Sequence, residues 1–164
     1  MKPLHLIGLA AGVALAAAAT GAAAFDARDP TDVLSVLSSN GASGDLKKDE
    51  KGKPYIDAKA GNLSFEVDFY DCNDHGVACA TTIYTTGWNM TSVTVDQVNR
   101  WNRWTALCPA YLTSENHPHA WYGLKPSPNE ARSDVVTELN AWLDCLSDFD
   151  KFTDAPEDFL KAHE

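Results

Sequence analysis

The first 24 residues set the conditions under which the rest of the chain must fold. Met1-Lys2 gives a short positive start, Leu4 to Ala19 is apolar apart from His5, and Ala22-Ala23-Ala24 presents the small residues a signal peptidase accepts. A cleavable secretory leader is expected over residues 1–24, with the cut after Ala24; cuts after Ala22 or Ala23 obey the same rule. A retained anchor is the rival, but the stretch is Ala-rich and short for about 30 Å of hydrocarbon. No Cys follows it to carry a lipid, and no later segment is apolar enough to span. The expectation is therefore a periplasmic or secreted protein, Gram-negative if periplasmic, with no stable membrane anchor after cleavage.

Thiols oxidise in such a compartment. Four follow the leader, Cys72, Cys79, Cys108 and Cys145, and an even count suggests two disulfides. Cys72 and Cys79 flank Asn73-Asp74-His75-Gly76, a run of turn formers, and would meet at the mouth of a hairpin. Cys108 and Cys145 are then left for each other, and whether they bridge stays open. Such a bridge would close a loop of about 36 residues and contribute about 3 to 4 kcal/mol in the chain-entropy model. Cys72-x2-His75-x3-Cys79 also has zinc-like spacing. Only three ligands lie at hand unless Asp74 joins, so a disulfide with an exposed His75 is the expectation.

Without its leader the chain keeps roughly 140 residues, enough for one domain with a usable core. The net charge is −10, and the leader holds one Lys and no acid, so the remainder is more negative still. That balance argues against nucleic acid and anionic lipid as partners. It permits basic proteins, cationic peptides or divalent cations, or serves solubility alone.

Local signals place the elements. Asp29-Pro30 opens a helix that Asn40-Gly41 ends, with Val33, Leu34, Val36 and Leu37 apolar. A charged hairpin follows, turning at Asp49-Glu50-Lys51-Gly52 and carrying Tyr55 and Ile56 in its second strand. Leu63, Phe65, Val67 and Phe69 alternate with Ser64, Glu66, Asp68 and Tyr70, the pattern of a half-buried strand. Another strand is expected over Ala80 to Trp88. Thr94 and Gln97 read as a capping box, and Val95, Val98, Trp101 and Trp104 then recur at helical spacing until Pro109. Short strands follow at Ala110 to Ser114 and Ala120 to Leu124. The closing helix carries Val135, Leu139, Trp142, Leu143, Leu146 and Phe149, and residues 153–164 form a polar tail expected to fray, although Phe159 and Leu160 could dock. The fold class is α+β: an antiparallel β-sheet meander packed by three helices, in the order α-ββββ-α-ββ-α.

No catalytic constellation emerges. Glu66 and Asp68 project from one strand face, as wet-face carboxylates do, with nothing in the sequence to push their pKa values apart. His117-Pro118-His119 is expected to point its rings apart, as a surface loop. No Gly-x-Ser-x-Gly elbow, Ser-x-x-Lys or phosphate-cradling loop is present. Neither a cofactor nor a metal is expected. Of the five tryptophans, Trp101 and Trp142 are expected in the core. A part-exposed one among Trp88, Trp104 and Trp121 would mark a partner surface; core packing of all five is the alternative.

The stretch Val98-Asn99-Arg100-Trp101-Asn102-Arg103 with Ala110-Tyr111-Leu112 resembles the signature of the YbjN-domain family. The leading Asp-Pro helix, Phe65 to Cys72, and Trp142 to Phe149 agree with it, so the resemblance covers about residues 29–152. It implies a type III secretion chaperone-like fold, helices on an antiparallel sheet, often dimeric. Members are described as sensory-transduction regulators with no established reaction. Secreted members carry a Cys pair near the central turn, matching Cys72 and Cys79; Cys108 and Cys145 lie outside the family pattern. In physical terms Trp101 would face inward, Asn99 and Asn102 would tie the helix to neighbouring backbone, and Arg103 would pair with an acid. The expected function is a non-enzymatic periplasmic domain, chaperone-like or regulatory, whose partner is a protein or peptide or a second copy of itself. A small-ligand or metal-binding sensory protein is the alternative, and a hydrolase with an unfamiliar site comes last.

Overall fold

The computed structural model describes residues 24–163. The expected leader, but for Ala24, lies outside the described residues. The architecture is α+β: six antiparallel strands in one sheet, ordered β1-β2-β3-β4-β6-β5, with helices on one side.

Helix α1 (Pro30–Ser39) starts where the Asp29 carboxylate accepts the Thr31 N–H, with Pro30 at the first turn. It ends at Gly41, whose φ of +87° suits a residue without Cβ. Strands β1 (Ala42–Lys48) and β2 (Pro54–Ala60) form the charged hairpin, paired from Ala42↔Ala60 to Lys48↔Pro54. The Asp49 carboxylate accepts the N–H groups of Lys51 and Lys53 across its turn. Strand β3 (Leu63–Tyr70) is where the alternation places it, and β4 (Thr81–Gly87) pairs with it beyond the Cys72–Cys79 bridge.

After α2 (Val95–Trp104) come β5 (Ala110–Leu112) and β6 (Pro118–Leu124). The short β5 lies at the sheet edge, while β6 pairs with β4. The expected capping box is present: Thr94 Oγ1 accepts the Gln97 N–H, and Gln97 Oε1 accepts the Thr94 N–H. Of the apolar stripe on α2, only Val98 and Trp101 are buried; Val95 at its start is 63% exposed. The stripe extends past the area of sheet that α2 covers.

Helix α3 (Arg132–Asp154) runs longer than the apolar stripe suggests, and a fourth helix, α4 (Pro156–His163), follows. This corrects the expected fraying of residues 153–164. Phe159 and Leu160 are buried, and the Glu157 carboxylate accepts hydrogen bonds from Gln97 Nε2 at 3.0 Å and Arg100 Nη1 at 3.1 Å. Two apolar residues and one acid therefore dock a segment that local composition makes look like a loose end.

The core has two parts on the same side of the sheet. The larger joins Ile56, Phe65, Val67, Phe69 and Tyr84 to Val33, Leu37, Leu139, Trp142 and Leu146. The smaller is aromatic: Trp101, Phe149, Phe152 and Phe159 pack around Ala110 and Ala120. Trp101 stands 4.9 Å from Phe152 and 5.3 Å from Phe149, ring centre to ring centre. The Cys108–Cys145 bridge ties the end of α2 to α3 beside this second part.

Candidate functional site

Both expected disulfides form, Cys72–Cys79 and Cys108–Cys145, so all four sulfurs are engaged as staples and no free cysteine remains among the described residues. The zinc-like spacing is thereby overtaken, and His75 lies exposed on its turn. Two disulfides fit an oxidising compartment. No helix among the described residues is long and apolar enough to cross a membrane.

The Asn-x-Trp-Asn stretch docks its helix. Trp101 is fully buried and its Nε1 donates to the Cys108 carbonyl at 2.7 Å. Asn102 clamps β5 twice: Nδ2 donates to the Ala110 carbonyl, and Oδ1 accepts the Ala110 N–H at 2.7 Å. Asn99 and Arg103 are exposed, and the ion pair expected of Arg103 is made by Arg100 to Glu157.

The unsatisfied surface lies on the other side of the sheet. Alternate residues of every strand point away from the helices, and no helix among the described residues covers them. Strand pairing sets Asp45 opposite Asp57, Asp57 opposite Glu66, Glu66 opposite Thr85, and Thr85 opposite Trp121. A single row across five strands thus reads acid, acid, acid, threonine, tryptophan. Lys47 Nζ pairs with Asp57 at 2.6 Å and Lys53 Nζ with Asp68 at 2.8 Å, while Glu66 has no ion pair among the described residues. Beside the row, His119 lies opposite Gly87 and Tyr111, with its ring 5.4 Å from that of Tyr111. A Cβ on Gly87 would run into the His119 imidazole, so only glycine leaves room for the ring. Asp57, Ser64, Glu66, Thr85, Gly87 and His119 line a shallow depression of about 290 Å³.

Burial is the first cause that raises the Glu66 pKa above the ordinary carboxylate range, with Asp68 and Asp57 adding to it. Burial also lowers the His119 pKa, assisted by His117. The two histidines therefore feel each other. His117 Nδ1 lies 3.6 Å from the Glu115 carboxylate, while the His119 ring lies beside Tyr111. A raised Glu and a lowered His in one depression are components of acid–base chemistry. Their coupling is missing: no hydrogen bond among the described residues links Ser64, His119 and Glu66.

Trp88 is partly buried against Phe149, whereas Trp104 and Trp121 are exposed, and their surroundings differ. Trp104 is packed on one side by Phe159 at 5.2 Å and His163 at 4.7 Å, so its exposure is the remainder of a packed ring. Trp121 is 39% exposed, and no aromatic ring packs on it among the described residues. Its indole lies along its own strand, over Gly123. With Tyr111, 46% exposed, it gives the uncovered face an aromatic end opposite the acidic end. The tryptophan count in the sequence points to such a surface, but the acid row has no linear signal because its members come from three strands.

Compared with known proteins, the chain matches no family model and no curated protein.

Proposed function

We propose that this chain is an exported, non-enzymatic domain of the YbjN kind that binds a segment of another protein on the uncovered face of its sheet, in a chaperone-like or sensory role. The observation that carries this is Trp121, a large apolar ring 39% exposed on which no aromatic ring packs among the described residues. Exposed aromatics anchor interfaces because they lose much hydration and little conformational entropy on docking. The two disulfides favour work outside the cytoplasm. The acidic surface favours a protein partner over nucleic acid, and the way Trp101 and Asn102 dock α2 supports a scaffold role for the Asn-x-Trp-Asn stretch.

The test places a photo-crosslinking side chain at position 121 of the full chain in its native host, with position 137 on the exposed side of α3 as control. A distinct protein adduct from 121 and not from 137 is expected. Absence of adducts, or the same adducts from both positions, overturns the reading. An adduct with a second copy makes the face a homodimer interface instead. A second reading, a metal or small ligand held at the His117–His119 loop, is favoured by His119 lining the same depression as Asp57 and Glu66. Calorimetry against zinc, copper and calcium decides it, and no saturable heat removes it.

A further inference from the structure

We infer that residues 125–131 form a proton-operated strap, closed over a small cavity at the rim of the core while Glu130 and Glu138 share one proton and released when that proton leaves. The strap joins β6 to α3 and is built as one piece. Pro126 and Pro128 fix its backbone at two points. Glu130 closes it on itself: Glu130 Oε2 accepts the Ser127 N–H at 2.8 Å, and the Glu130 N–H donates to the Ser127 carbonyl at 3.1 Å. A force on the Glu130 carboxyl therefore moves the whole turn.

Beneath the strap lies a cavity of about 10 Å³, near the room that one water needs. Pro126 walls it from the strap, with Val33 of α1, Thr82 of β4, Leu124 of β6, and Val135 and Glu138 of α3. Thr82 is 3% exposed, and its buried hydroxyl has no hydrogen-bond partner among the described residues. A buried hydroxyl is costly unless it is paired. The polar side chains that share its cavity are Tyr84 and Glu138, so a single water can link the hydroxyl to the Glu138 carboxyl.

Glu138 is also hydrogen-bonded to Glu130. Carboxylates only accept, so two carboxyl groups in that relation need a proton between them. The surroundings offer no other neutralisation. Asp134 acts on Glu138 from its own helix, Glu130 from the strap, Tyr84 faces it from β4 and Tyr122 from β6. Among the described residues neither Lys nor Arg acts on it, and Arg132 at the strap's end is turned to α1, where it donates to the Ser35 carbonyl and hydroxyl. Burial first, then Glu130 and Asp134, raise the Glu138 pKa to about 7. The closed form thus holds its proton more tightly than an open one. It dominates below about pH 7 and gives way as pH rises through that value. Two adjacent carboxylates then repel, and Glu130 carries the turn and Pro126 off the cavity, baring Val33 and Val135.

The experiment follows the valine methyl groups of the disulfide-intact protein by NMR, with a neutral paramagnetic agent in solution, at pH 5 and pH 8. Relaxation of Val33 and Val135 by the agent should rise severalfold at the higher pH, with a midpoint near 7, while Val67, in the same core, stays shielded. Glu138→Gln, whose amide donates to the Glu130 carboxylate without a titrating proton, should keep both valines shielded at either pH. Glu130→Ala removes the tie and should leave them accessible at either pH. Melting curves verify that each variant is folded; if Glu130→Ala is not, the parent and Glu138→Gln decide. Equal shielding of Val33 and Val135 in the parent at both pH values, or a parent-like rise in Glu138→Gln, overturns the inference.

Discussion

The two faces of the sheet are built from the same strands and obey different rules. On the covered face Ile56, Phe65, Val67 and Tyr84 alternate inward and are buried against the helices; Trp142 touches both Phe65 and Tyr84, each ring centre 5.9 Å away. On the uncovered face the intervening residues bring three carboxylates into one row and leave the Trp121 indole without a ring partner among the described residues. A sequence under selection for stability alone would interleave those charges with lysines, as Lys47 does for Asp57.

The contrast breaks first at the tryptophans. Trp142→Ala should cost about 3 to 5 kcal/mol in urea denaturation, the range for emptying a buried aromatic site. Trp121→Ala should stay within about 1 kcal/mol, and equal losses would erase the distinction between the faces. The disulfides come next, since both sit with the covered side. Replacing Cys108 and Cys145 by Ser opens a crosslink between residues 37 apart and should cost about 3 to 4 kcal/mol. The bridge over only 7 residues, Cys72–Cys79, should cost less in the same assay.

A third test lies at the rim of the covered side. Glu138 on α3 is pushed up to about 7 by burial first, then by Glu130 and Asp134. Tyr84 and Tyr122 face it from the sheet, and the Ser127 N–H holds Glu130 in place at 2.8 Å. A carboxyl whose folded pKa lies above its unfolded value binds more protons in the folded state. Stability therefore falls as pH rises from about 4.5 to about 7. Allowing for partial exposure, Glu138→Gln should gain about 1 to 2 kcal/mol over the parent at pH 8 and almost nothing at pH 4, read from melts at both pH values. The smallest effect belongs to the acid row. Glu66→Gln should raise stability by about 0.2 to 1 kcal/mol at pH 7, because it removes one of two opposed charges. A loss of stability would mean that Glu66 is a structural partner and not a strained binding group.

Much of the fold was readable along the chain because its causes are local. Asp29-Pro30 and the Thr94–Gln97 box start helices with groups three residues or fewer away. The alternation over Leu63–Tyr70 is decided by burial on one side of one strand. Cys72 meets Cys79 across a turn whose own residues close it, with Asn73 accepting the N–H groups of His75 and Val77. The misplaced elements depend on distant neighbours. Helix α4 is stable because Phe159 finds Trp101 at 5.6 Å and Glu157 finds Arg100, residues more than fifty positions earlier. Its acid-first, base-last charges and Pro156 were a local hint of helix, but docking needed the partner surface.

Most of the secondary structure and half of the sulfur pairing were thus written in short stretches of sequence, where caps, alternation and turn residues act within a few positions. Only the tertiary structure decided which side of the sheet stays bare and that Asp45, Asp57, Glu66, Thr85 and Trp121 stand in line. The reason is register: which residue faces which across strands depends on hairpin lengths and on β6 inserting between β4 and β5, and no single segment contains that information.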